Sequence, residues 1–198
     1  MFILKGSASA ETKVKNSRFL AEVFAVDSPD AAKEAWRFRK ETYDNGGHIV
    51  YAFAIGDQQN ILGCSDDGEP SGTAGRPVLA VLKGSGLTNA MITIARWFGG
   101  TKLGTGGLVH AYSEAAKAAL DNAEFVELVP MIHVEMILPY NLYNTLINRV
   151  AAIGFAVEKE DFGTYISIHG SVKSELYEAL ENVVQEIGNG RITFTVRK

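Results

Sequence analysis

Two α+β domains in series are what the sequence predicts, and three observations predict them. Residues 1–127 alternate short β-branched and aromatic runs with stretches of helical period. Residues 128–198 read strand, helix, strand, strand, helix, strand, the βαββαβ order of the ferredoxin-like plan. The chain has 198 residues, 46% of them hydrophobic and 21% charged, which suits one large or two small ordinary cores. The pattern changes over residues 124–130, so the join is expected there, with domains of 1–127 and 128–198.

In the first domain, residues 11–14 and 18–26 read as strands around a polar turn at 15–17. Ser28, Pro29 and Asp30 start a helix, with a capping hydroxyl, a proline in the first turn and an acid at the positive pole. Asp44, Asn45, Gly46 and Gly47 are expected to stop it. Strands follow at 48–55 and 61–65. Thr73 is the expected cap of a helix running to residue 82, with Pro77 in its first turn and Gly84, Ser85 and Gly86 at its end. Residues 91–98, MITIARWF, form the clearest strand. Thr105 is the expected cap of an Ala-rich helix over about 106–122.

In the second domain, residues 126–138 carry one long strand pattern. A helix over 139–153 turns Leu142, Leu146, Ile147 and Val150 inward and closes at Gly154. Residues 155–160 and 164–169 form a hairpin. A helix over 173–187 presents Leu176, Leu180, Val183, Val184 and Ile187, and 192–196 is the last strand.

The totals narrow the function. No run of about 18 apolar residues occurs, so no membrane span is expected. The short apolar start precedes its first lysine, the wrong order for a secretory signal. The single cysteine, Cys64, fits a reducing compartment. Lys+Arg number 13 against 15 Asp+Glu in residues 1–127, and 6 against 8 in 128–198. Neither part is a basic domain, which argues against a broad nonspecific grip on nucleic acid.

Residues 66–75 and 99–107 concentrate glycine and acid beyond what a core asks for. Each leads into a helix, so each offers backbone N–H groups and the positive end of a helix dipole to an anion. Asp66, Asp67 and Glu69 have two readings: a Mg²⁺ or acid–base centre, or a turn or binding surface with acids beside a helix start. The second is favoured, because no partner histidine or second acidic cluster stands at a diagnostic spacing. Lys102 and the glycines around it resemble a phosphate cradle in physics but match neither G-x-x-x-x-G-K-[ST] nor G-x-G-x-x-G. Close helix–strand packing is the alternative. Arg96, at the end of an apolar strand, either pairs with an acid of the first loop or projects its charge onto the functional face. His48, His110, His133 and His169 have no zinc spacing, and Cys64 and Ser65 no nucleophile pattern. No catalytic residue, metal site or cofactor is expected.

One long motif joins the two loops. It runs Asp66-Asp67-Gly68-Glu69-Pro70-Ser71-Gly72-Thr73-Ala74-Gly75-Arg76-Pro77, then Arg96-Trp97-Phe98-Gly99-Gly100, then Leu103-Gly104-Thr105-Gly106-Gly107-Leu108 and on to Ala111-Tyr112. It resembles the signature of the IMPACT/YigZ family; Ser17, Arg18, Phe19 and His48 also fit, and the likeness extends over nearly the whole chain. His110 departs from it, standing where Arg or Lys is usual. The resemblance implies an N-terminal domain like a small-subunit ribosomal protein and the fourth domain of elongation factor G. It implies a ferredoxin-like C-terminal domain similar to one at the end of that factor. It also implies a role around translation, since eukaryotic relatives bind a ribosome-associated regulator.

The leading expectation is therefore a cytoplasmic binding protein contacting the ribosome, a ribosome-bound protein or RNA. Its face would combine Asp66, Asp67, Gly68, Glu69, Pro70, Gly72, Thr73 and Gly75 with Arg96, Gly99, Gly100, Lys102, Gly104, Gly106 and Gly107. Exposed acids beside bases would suit a specific macromolecular partner better than a bare phosphate backbone. The alternative is a metal- and phosphate-dependent enzyme acting on a small molecule at the same loops. The oligomeric state is left open.

Overall fold

The structure, a computed structural model, describes residues 1–43 and 47–197. The expected stop at Asp44, Asn45 and Gly46 lies outside the described residues. The chain is α+β and divides into two compact units, Met1–Leu128 and Val129–Lys198.

The first unit contains β1 (Phe2–Leu4), β2 (Ala8–Val14), β3 (Ser17–Ala25), α1 (Pro29–Thr42), β4 (His48–Ile55), β5 (Ile61–Ser65), α2 (Gly75–Gly84), β6 (Ala90–Trp97), α3 (Gly104–Asp121) and β7 (Phe125–Glu127). Five strands form an antiparallel sheet in the order β2-β3-β6-β4-β5. Central β6 is buried along nearly its whole length because helices cover both faces. Period 2 then sorts the side chains. Phe19, Val50, Ile92 and Ile94 point toward α2 and α3, while Phe53, Ile55 and Met91 point toward α1. Ala111, Ala115, Ala116 and Ala119 are fully buried, and their small side chains let α3 lie close on the sheet. Arg96 shares the parity of Ile92 and Ile94, so it emerges on the α2/α3 side.

Ser28 caps α1 as expected, its Oγ accepting from the Ala31 N–H at 3.2 Å. The other two caps differ. Thr73 Oγ1 donates to the Pro70 carbonyl, and the start of α2 is capped by Asp66 instead. Thr105 lies inside α3, whose N-cap residue is Leu103 with no capping side chain.

The long strand expected at 126–138 is two strands. β7 pairs with β1, a strand absent from the sequence reading, and β8 (Met131–Leu138) belongs to the second unit. Pro130, which has no N–H to give a ladder, stands between them. β8 is followed by α4 (Tyr140–Ala152), β9 (Ala156–Phe162), β10 (Ile166–Lys173), α5 (Tyr177–Gly188) and β11 (Thr193–Arg197), with a 3₁₀ turn at Ser174–Leu176. The antiparallel sheet runs β11-β8-β10-β9. Val134, Met136, Ile166 and Ile168 meet Leu142, Leu146, Leu180 and Val184 in its core. Among the described residues, no helix is long and apolar enough to cross a membrane.

Candidate functional site

The three acids of the first loop occupy three different internal positions. Asp66 turns back onto the start of α2. Its Oδ1 accepts from the N–H groups of Ala74 at 3.1 Å and Gly75 at 2.8 Å, and its Oδ2 from Gly72 at 2.7 Å. Burial pushes this carboxyl up, but the N–H groups of Gly72, Gly75 and Ala74, with the Arg76 guanidinium, more than reverse that. Its acidity is therefore net stronger than that of an ordinary carboxyl.

Asp67 sits at φ 43°, a left-handed conformation that Asp tolerates better than most side chains. Its Oδ2 accepts from the Ile49 N–H and its Oδ1 from Lys40 Nζ, both at 2.7 Å, and its carbonyl oxygen lies 2.7 Å from His48 Nδ1. It ties the loop to β4 and α1.

Glu69 is only 8% exposed. Its Oε1 accepts from Arg96 Nη1 and, at 2.8 Å, from the Tyr112 hydroxyl. Arg96 is itself 7% exposed, and Tyr112 is fully buried, edge-on to Phe19. Burial first, then the neighbouring Glu69 charge, holds the Tyr112 phenol far above its usual pKa, so it stays a hydrogen-bond donor. Thus β6, α3 and the first loop are joined at one buried point by an Arg–Glu–Tyr triad.

This corrects the expectation of an exposed mixed-charge face. Glu69 is buried, the Asp67 side chain is 11% exposed, and Arg96 pairs with an acid of the first loop instead of projecting outward. The reason is steric: an acidic turn lying under two helix starts meets backbone N–H groups and a buried guanidinium before it meets solvent.

Several glycines have packing reasons. A Cβ on Gly99 would lie 2.0 Å from the Asn16 carbonyl carbon, and one on Gly75 2.8 Å from the Ser65 backbone. Gly68 packs on the His48 ring. Gly106 differs: a Cβ there would meet nothing within 4 Å, and its φ is not in the left-handed range.

Beyond the triad a cavity of about 380 Å³ opens at the start of α3. It brings together Glu69, Pro70, Arg96, Lys102 and Gly104, and leaves Asp66 and Asp67 outside its lining. Phe98, Leu103, Thr105 and Leu108 complete it, although sequence reasoning singled out none of these four as site residues. Phe98 is 60% exposed; an aromatic residue directly before two glycines was the available signal. Tyr112 was also missed as a site residue, although it ends the long motif. Among the described residues, no group of three or more His, Cys, Asp or Glu side chains is placed to hold a metal ion.

Comparison with known proteins gives a consistent result. The profile of the Impact N-terminal domain matches residues 15–120. The chain is 30% identical over 190 residues to "IMPACT family member YvyE" of Bacillus subtilis, covering 96% of this chain and 88% of that one. It is 41% identical over 110 residues to "IMPACT family member YigZ" of Escherichia coli, covering 54% of each. A solved structure described as a hypothetical protein superposes with a TM-score of 0.69 at 26% identity, covering 100% of this chain and 97% of that one. With its signature residues arranged around the Arg–Glu–Tyr triad and matched by the domain profile, the chain belongs to the IMPACT family.

Proposed function

We propose that this protein is a cytoplasmic binding protein of the translation machinery, contacting the ribosome, a ribosome-bound factor or RNA through the surface around the start of α3. The observation that carries the reading is how the two loops divide the work. Asp66, Asp67 and Glu69 are committed to internal contacts, whereas Pro70, Phe98, Lys102 and Thr105 stand exposed around uncapped backbone. A reaction at the acids would first have to detach them from those partners. A surface with an exposed aromatic, a flexible cation and free amides is instead suited to recognition.

The fold assignments implied by family resemblance support the same reading. Residues 1–127 would be the domain shared with a ribosomal protein and the fourth domain of elongation factor G. Residues 128–198 would be the ferredoxin-like domain, with the strand order β11-β8-β10-β9 in support. The lone Cys64 suits the cytoplasm. The remaining signature residues, Gly68, Gly72, Thr73, Gly75, Gly99, Gly100, Gly104, Gly106 and Gly107, shape the loops that present this surface.

The test is co-sedimentation with ribosomes from a native lysate at low and moderate salt. Lys102→Glu combined with Phe98→Ala changes only exposed side chains and should lower stability by no more than about 1 kcal/mol, from the lost contact of the Phe98 ring with Arg96, while reducing co-sedimentation several-fold. Wild-type protein that stays in the supernatant at low salt, or a double variant that sediments as well as wild type, refutes the proposal.

A further inference from the structure

Of the three helices among the described residues of the first unit, α1 is capped by Ser28 and α2 by Asp66, but α3 has no described side chain on its opening amides and no acid in its first turn. The N–H groups of residues 104–106 therefore form the positive end of an 18-residue helix, and Gly104 and Thr105 of that end line the cavity. Lys102 stands directly before them. Gly104, at φ +73°, makes the tight entry that exposes these amides.

An independent observation lies at the cavity wall. Arg96 lines the cavity and is 7% exposed, and its Nη1 is taken by Glu69, yet its Nε–H has no acceptor among the described residues. A buried donor without a partner is costly, and an acceptor entering the cavity beside Arg96 would lower that cost. Glu69 is the acid of the lining, and its Oε1 already accepts from both Arg96 and Tyr112. The donors thus call for an anion. The walls call for more, since Pro70, Leu103, Leu108 and the exposed ring of Phe98 are apolar. A bare inorganic ion would have no use for them.

We propose that this cavity binds a nucleotide, with its phosphate on the 104–106 amides and Lys102, and its base stacked on Phe98. Aromatic stacking accepts any base, and helix starts accept any phosphate, so the site reads the chemical class rather than a sequence. The protein's net charge of −4 and its single cavity-lining lysine suit one or two nucleotide units, not a long backbone track. The inference rests on the reading of this surface as the contact face and specifies its ligand.

The test is NMR titration of the full chain with inorganic phosphate, AMP and a short oligoadenylate. AMP should shift the amides of 104–106 and the Phe98 ring with an affinity at least tenfold above that of phosphate. Phe98→Ala should bring AMP down to the phosphate level. Thr105→Glu places a carboxylate where the phosphate would sit; it should hold or raise the melting temperature, as acids do in a first helical turn, while weakening AMP at least tenfold. Oligoadenylate binding more tightly than AMP assigns a strand as the source, and equal or weaker binding assigns a free nucleotide. Unmoved amides, equal affinity for AMP and phosphate, or a Thr105→Glu variant that binds like wild type overturns the proposal. Co-sedimentation with ribosomes that persists when AMP moves nothing would remove the nucleotide site alone; AMP binding without co-sedimentation would remove the ribosome reading alone.

Discussion

Glu69→Ala should be among the most destabilising single substitutions in the first unit. The Glu69 and Arg96 side chains are 4% and 8% exposed, so neither charge has water to fall back on. Removing the carboxylate strands the guanidinium between Phe19 and Phe98 and takes away the acceptor of the buried Tyr112 hydroxyl. Breaking one side of a buried ion pair costs about 3–5 kcal/mol. Domains have about 5–15 kcal/mol in total, so roughly a fifth or more of the stability is at stake. A loss of that size corresponds to roughly 10 °C in melting temperature for a chain of this length. Urea unfolding followed by tryptophan fluorescence is a suitable assay, because Trp36 and Trp97, the two tryptophans, both lie in the first unit. Replacing both partners, Glu69→Leu with Arg96→Met, should recover the part of the loss that comes from the stranded charge, while the buried Tyr112 hydroxyl stays without its acceptor. A Glu69→Ala loss below about 1 kcal/mol, or a double variant whose losses simply add, would refute the claim that the pair joins β6, α3 and the first loop as a unit.

Gly99→Ala should destabilise by about 1–3 kcal/mol, the cost of overpacking, because its Cβ would strike the Asn16 backbone. Gly106→Ala should leave stability unchanged or raise it by up to about 1 kcal/mol, because its Cβ enters open space on a helix; equal effects in thermal melts would contradict this contrast. Asp66→Asn should cost about 1–2 kcal/mol at neutral pH, because Asn keeps one acceptor oxygen but loses the charge and turns an NH2 toward an N–H donor of the loop. The Asp66 carboxyl titrates below its unfolded value in the folded chain, so its contribution is fully present above the unfolded pKa and fades as pH falls through the folded one. The gap between wild type and Asp66→Asn should therefore narrow in acid, and a gap independent of pH would contradict the assignment. Limited proteolysis should release a stable fragment beginning near residue 129, where the two units divide, and digestion confined to the chain termini would argue against separable units.

What local chemistry decides was legible in the sequence. Ser28-Pro29-Asp30 starts α1 because a cap acts on the three or four residues beside it. The apolar period of β6 and the inward faces of α4 and α5 follow from side-chain spacing alone. The long motif was equally legible, and with it the family. The structure settled the matters in which distant residues compete for the same partner. The cap of α2 comes from Asp66, eight and nine residues before the amides it holds, so the nearer Thr73 was the wrong choice. Residues 126–138 have one β pattern, but β7 goes to β1 and β8 to β10 and β11, because pairing depends on which edges the fold leaves open. Glu69 meets Arg96 and Tyr112 across 27 and 43 residues. Whether such a carboxylate is exposed or buried depends on what packs over it, and no spacing along the chain carries that information.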